Sequence, residues 1–377
     1  MKRLDFKLSA FIILFFLLVS WVAKKANDYY VPTTIDDFFL PGSQPLQSGT
    51  FIDPNQCDNC HGNYDQNAEP AFNWRGSMMA HSMRDPLFEA SMVIANQDAE
   101  FSGDLCIRCH SPVGWLEGRS TPTDGSSLTI SDRQGVQCHM CHRMIDPTST
   151  ASGDLSYMST LSHIPDTHGN GMYVVDSEDI RRGPYDNVQS NHDTQYSEFH
   201  TKSEMCATCH DVSNPVYSKQ PDGSYLPNPL GSQASSFDTY ELFPVERTFS
   251  EWKMSDYNTP TGIPSDVFGG NLTHVISCQD CHMKEVTGKG SNKPFSPIRS
   301  DLGQHDLTGG NTFIPLLIKD LYNSDDDVDL DAIDAGILRA RYMLQNAATM
   351  NINATNTSDG FDVAVEIINE TGHKLPS

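Results

Sequence analysis

The chain has 377 residues, with 49 acidic and 25 basic side chains, a formal net charge of −24 and a hydrophobic share of 38%. So acidic a balance excludes a nucleic-acid binder, which needs a clustered basic surface, and the hydrophobic share is too low for a multi-spanning membrane protein. The length could hold two ordinary domains at roughly 100–200 residues each, yet the apolar content is thin for that size, so something other than side chains must fill part of the interior.

Taken in order, Lys2, Arg3 and Lys7 precede an apolar run from Leu8 to Ala23. A positive start before a short apolar stretch is an export signal. A cut after Ala23 would place Trp21 at the third position back, a poor cleavage site, so residues 1–23 read as an uncleaved membrane anchor in preference to a cleaved signal. The expected location is periplasmic or cell-surface. Residues 24–50, punctuated by Pro and Gly, read as a linker. Trp74 to Gln97 reads as helix in two pieces, the second opened by Asp85 and Pro86. Pro112 to Gln134 and Ser213 to Ser236 read as loops, Asn311 to Tyr322 and Asp331 to Met350 as helices. The acidic run Asp325 to Asp331 lacks the Gly and closing Glu of a calcium loop and reads as a solvated helix start. Beyond Asn351, Phe361, Val363, Val365 and Ile367 alternate with polar or small residues, a strand with one buried face. Residues 351–377 are therefore expected to begin a β domain cut short at Ser377, after a first domain at 51–350.

The cysteines say what fills the interior. All ten belong to Cys-x-x-Cys-His pentapeptides: Cys57, Cys60, His61; Cys106, Cys109, His110; Cys138, Cys141, His142; Cys206, Cys209, His210; Cys278, Cys281, His282. Two thiols at this spacing can add to the two vinyl groups of one haem, and the next residue then supplies the proximal imidazole to the iron. A disulfide framework gives no reason for the histidine. Structural zinc uses pairs of Cys-x-x-Cys, and five leave one over. The cofactors expected are five haem c groups. Successive motifs are 49, 32, 68 and 72 residues apart, without a repeat period, so the expected fold is a multihaem cytochrome c: short α-helices and long irregular segments wrapped around five haems, with the start of a β-rich C-terminal domain.

Nine histidines remain as candidates for distal ligation, and five would saturate every haem. His81 is expected on the first helix with Phe88, Met92 and Ala95 on the same side. His200 and His274 lie just before Cys206 and Cys278, each too close to its own haem and so placed to reach a neighbouring iron. His305 precedes a Gly-Gly turn that lets backbone approach a flat ring. His373 follows the strand and is open between ligation and a plain strand end. His163, His168 and His192 are open between ligation, propionate contact and solvation. His139, inside the third motif, is expected to point away from its own haem. Met78, Met79 and Met83 are alternative ligands.

With its five motifs and the stretches SMMAHSMRDP, FHTKSEMCATCHD, HDLTGGN and TGHKLPS, the chain resembles the bacterial multihaem cytochromes c, particularly the group related to the electron-transfer proteins of hydroxylamine and nitrite metabolism. The resemblance spans residues 51–377. It implies distal ligation by His81, His200, His305 and His373, and a β-rich C-terminal domain in longer relatives. The pentahaem nitrite reductases carry Lys in one motif, and no Cys-x-x-Cys-Lys occurs here. The expected function is electron transfer through a chain of mostly bis-His haems. Its alternative is a haem oxidoreductase acting on a small nitrogen or sulfur oxyanion at one open haem. Expected partners are redox proteins, a respiratory complex or other cytochrome subunits, and the membrane through the N-terminus, with no nucleic acid.

Overall fold

In the computed structural model, residues 30–375 are described. They form many short helices joined by irregular segments and small two- or three-stranded sheets, with a β-hairpin at the C-terminal end. The cysteine pairs lie on or against short helices: Pro54–His61, Gly103–His110, Cys138–Cys141, Ser203–Ala207 and Cys278–His282. Residues three apart on a helix are neighbours on one face, so each Cys-x-x-Cys presents both thiols to the same side. Local capping fixes where these helices start. Asp53 accepts from Asn55 N–H ahead of Pro54, and Ser277 and Asp280 cap each other's backbone.

The largest apolar cluster is built on the motifs themselves. Ile107 and Met140, both inside motifs, pack with Trp115, Leu116, Tyr173 and Phe199, and Cys106, Cys141 and Cys209 lie against them. A second cluster joins the helices Ile314–Leu321 and Leu330–Asn346 through Ile318, Ile333 and Ile337. The acidic run enters that longer helix as expected. Asp329 caps it at Ala332 N–H, while Asp327 pairs with Arg84.

Several expectations need correction. Residues 31–48 do not stand off as a spacer: Leu40, Ser43 and Ser48 are buried, and Ser43 N–H donates to Tyr173 O at 2.9 Å. His81 is not on the helix bearing Phe88; it ends a 3-10 turn, Met79–His81, and Asp85 caps a separate helix Pro86–Asp98. The segment 112–134 contains the helix Pro112–Leu116 and the 3-10 turn Ser131–Gln134. The other expected loop supplies the strands Val212–Lys219 and Tyr225–Pro227, and the first of them also pairs with Leu242–Glu246.

The alternating C-terminal segment does form a strand, Gly360–Asn369, paired antiparallel with Ala348–Thr357. Its apolar face is not buried, however, and Phe361 is 72% exposed. Among the described residues no helix is long and apolar enough to cross a membrane, so nothing described supports the expected membrane-anchored location. The apolar run 8–23 lies outside those residues.

Candidate haem sites

Four proximal histidines share one arrangement. His61 Nδ1 meets Gly290 O at 2.7 Å, His110 meets Ser82 O at 3.1 Å, His142 meets Arg182 O at 2.7 Å, and His282 meets Thr308 O at 2.6 Å. A carbonyl can only accept, so each Nδ1 carries the proton and Nε2 keeps its lone pair. That tautomer, held by a backbone acceptor, is what an imidazole needs in order to ligate a metal. Burial pushes all four imidazoles below their ordinary pKa, which also favours the neutral form.

Histidines from distant segments stand opposite these rings. His192 faces His61 with centroids 6.3 Å apart, and His373 faces His282 at 6.3 Å with planes 15° apart. Two imidazoles on one metal, with bonds of about 2.0–2.1 Å, would have centroids roughly 6 Å apart. His142 has two neighbours, His200 at 5.8 Å and His305 at 6.0 Å. They differ in what their nitrogens do. His200 gives Nε2–H to Cys141 O and accepts at Nδ1 from Ser197 Oγ, whereas His305 donates only from Nδ1, to Gly303 O. The free Nε2 belongs to His305.

His81 is 3% exposed; its Nε2 meets Arg75 O at 2.9 Å, and its Nδ1 is buried without a partner. His274 is exposed on the short strand His274–Val275, against Thr273 Oγ1, away from the motif histidines' ring contacts. His139 does point elsewhere: its Nδ1 accepts from Ile52 N–H and its Nε2 pairs with Asp179. His168 pairs with Asp146 and stacks on Phe199, and His163 packs on Phe39. Met83 is a core residue and Met78 packs on the second cluster. Of the histidines that sequence reasoning left open, His192 and His373 stand opposite motif histidines, and His192 is the one for which neither its position nor the resemblance implied ligation. Its loop, NHDTQY, carries no signal beyond the residue type.

The attachment points are themselves adjacent. The thiols of Cys57 and Cys138 are close enough to interact, as are those of Cys109 and Cys209, and of Cys206 and Cys278. Cys141 lies near both Cys206 and Cys209. The first motif therefore neighbours the third, the third neighbours the fourth, and the fourth neighbours both the second and the fifth. Gly171 holds one of these junctions. At φ +65° its backbone lies so close to the second motif that a Cβ would sit 3.1 Å from Cys109 Sγ. It gives its N–H to Thr208 O and accepts from Arg108 Nε, so it ties the second motif to the fourth.

These residues fit haem c. The ten cysteines are free rather than bridged, and among the described residues no three His, Cys, Asp or Glu side chains converge on a metal ion. Burial pushes the Cys141 thiol up to about 12. Five such sites, each a thiol pair with a proximal histidine, define a multihaem c-type cytochrome, an electron carrier with five covalently bound haems. Residues 56–143, which span the first three motifs, match the family described as Cytochrome c554 and c-prime. Comparison with curated proteins found no match, and comparison with solved structures found none.

Proposed function

We propose that the chain conducts electrons between redox partner proteins through haems that are mostly bis-histidine ligated. The observation that carries this is the set of opposed imidazoles: His61 with His192, His142 with His305, and His282 with His373. When bound, the haems supply one-electron exchange between iron(III) and iron(II). The chain's own residues orient the axial nitrogens, exclude water and set the order of neighbours. His81 is a further buried imidazole, and its unpartnered Nδ1 is the nitrogen it would offer to a haem iron. A net charge of −24 favours partners with basic patches, drawn in at low ionic strength. Such partners include subunits of a respiratory complex or other cytochromes. The resemblance of its motifs is the ground for placing it among the cytochromes of hydroxylamine and nitrite metabolism, while the match of residues 56–143 reaches only to the family described as Cytochrome c554 and c-prime.

One observation favours the alternative of an oxidoreductase acting on a small nitrogen or sulfur oxyanion. Among the described residues no imidazole is in ring contact with His110, whose ring is stacked instead on Phe88 at 3.6 Å. An iron left open there could bind a small ligand.

EPR of the oxidised protein separates the two. The conduit predicts five low-spin haems. One high-spin haem per chain would favour the enzyme, and a high-spin majority would refute the proposed axial pairs.

A further inference from the structure

Four guanidiniums are buried in the described structure: Arg84, Arg108, Arg143 and Arg182. Two are neutralised in place, Arg84 by Asp327 and Arg182 by Asp154 and Asp176. Arg108 and Arg143 are not.

Arg108 stands between the two cysteines of the second motif. It donates to Gly171 O at 2.7 Å, Leu40 O at 3.2 Å and Pro41 O at 2.6 Å, and lies over the rings of Trp115 and Tyr173 at 4.3 and 5.5 Å. Arg143 directly follows His142. It donates to the carbonyls of Ser48, Thr50 and Asp176 and lies 4.7 Å over the Phe51 ring. Among the described residues neither makes an ion pair with an acid. Asp104 accepts from Trp115 Nε1 and Ser120 Oγ, the Asp176 carboxylate pairs with Arg182, and Asp179 pairs with Arg181 and His139. Carbonyls and ring faces solvate a guanidinium without cancelling its charge, and arginine stays protonated in proteins.

We propose that Arg108 and Arg143 are fixed buried cations that raise the reduction potentials of the second and third haems, so that electrons given to the chain settle there. The proposal rests on the haem reading of the motifs. One electron from an external reductant takes iron(III) to iron(II) and lowers the local charge by one. A fixed positive charge nearby favours that change, and more strongly away from water; burial and local charge are among the levers that set such potentials. The first and fifth motifs differ, since each carries an aspartate within it, Asp58 and Asp280. Asp58 is paired with Arg75, and Asp280 caps its own helix.

The test is a spectroelectrochemical titration of the full-length holoprotein, with haem stoichiometry measured alongside. Arg108→Gln should keep five haems and shift one haem's reduced-to-oxidised ratio at fixed potential at least tenfold toward oxidised, 59 mV for a one-electron couple. Arg108→Lys should restore it, and Arg143→Gln should move a different haem. Glutamine variants with five haems and unchanged potentials would overturn the proposal. If those variants do not load their haems, the unmodified protein decides: two haems must titrate above the other three, and five without that gap overturn it. A haem count below five in the unmodified protein would instead refute the reading of the motifs.

Discussion

Replacing Cys138 and Cys141 together by alanine is expected to abolish accumulation of folded protein, whereas the same change at Cys278 and Cys281 should leave a soluble four-haem protein. The third motif sits at the centre of the fold. His139 and Met140, between its cysteines, are buried, and Cys141 packs against the largest apolar cluster. Its thiols also stand beside the first and fourth attachment points. The helix Cys278–His282 contains no buried residue. Deleting a group from a packed interior costs about 24 cal/mol per Å³ of residual cavity, so a cavity the size of a haem costs an amount comparable to a whole stability of about 5–15 kcal/mol. Soluble yield and haem-stained gels of the two double variants check this. A well-folded four-haem protein lacking the third haem would contradict it.

The second large effect is expected at His305. His305→Ala should convert one haem per chain from low to high spin, while His274→Ala, at an exposed position, should change nothing in the spectrum. The same site makes the protein acid-sensitive. Burial, with His142 nearby, holds the His305 imidazole down at about 3, against an ordinary value of 6.5. A histidine depressed in the folded state binds fewer protons there than in the unfolded chain. The stability it contributes is full above about 6.5 and is lost as pH falls toward about 3. His200, at about 3, and His81, at about 4, act in the same direction. Unfolding midpoints in denaturant should therefore fall steadily below pH 6.5. A midpoint flat between pH 7 and 4 would contradict this.

How much of this was legible in the sequence depends on how local the physics is. Thioether chemistry needs two thiols and an imidazole within five residues, so all five attachment sites can be read directly from the sequence. An axial pair is formed across the fold, and sequence distance to a motif does not predict it. His274, four residues before Cys278, ends up exposed on a strand, whereas His192, in a polar loop, faces His61. Residues 31–48 looked like a linker because their Pro and Gly break periodicity. Their attachment runs through backbone groups, such as Leu46 N–H to Leu116 O and Arg108 to Leu40 O, which composition does not reveal. The C-terminal strand was recognisable from Phe361 to Ile367 by its alternation. Its partner, ATMNINATNT, was not, because small and polar residues mask the shared face formed by Met350, Ile352, Val365 and Ile367.

The central claim is that five porphyrins are bonded to this polypeptide through its ten cysteines. Intact-mass measurement of the denatured holoprotein tests it most directly. The expected result is a single species heavier than the polypeptide by five haems, with the colour retained after acidic organic extraction. A polypeptide at its unmodified mass, or one whose colour passes into the solvent, would contradict it.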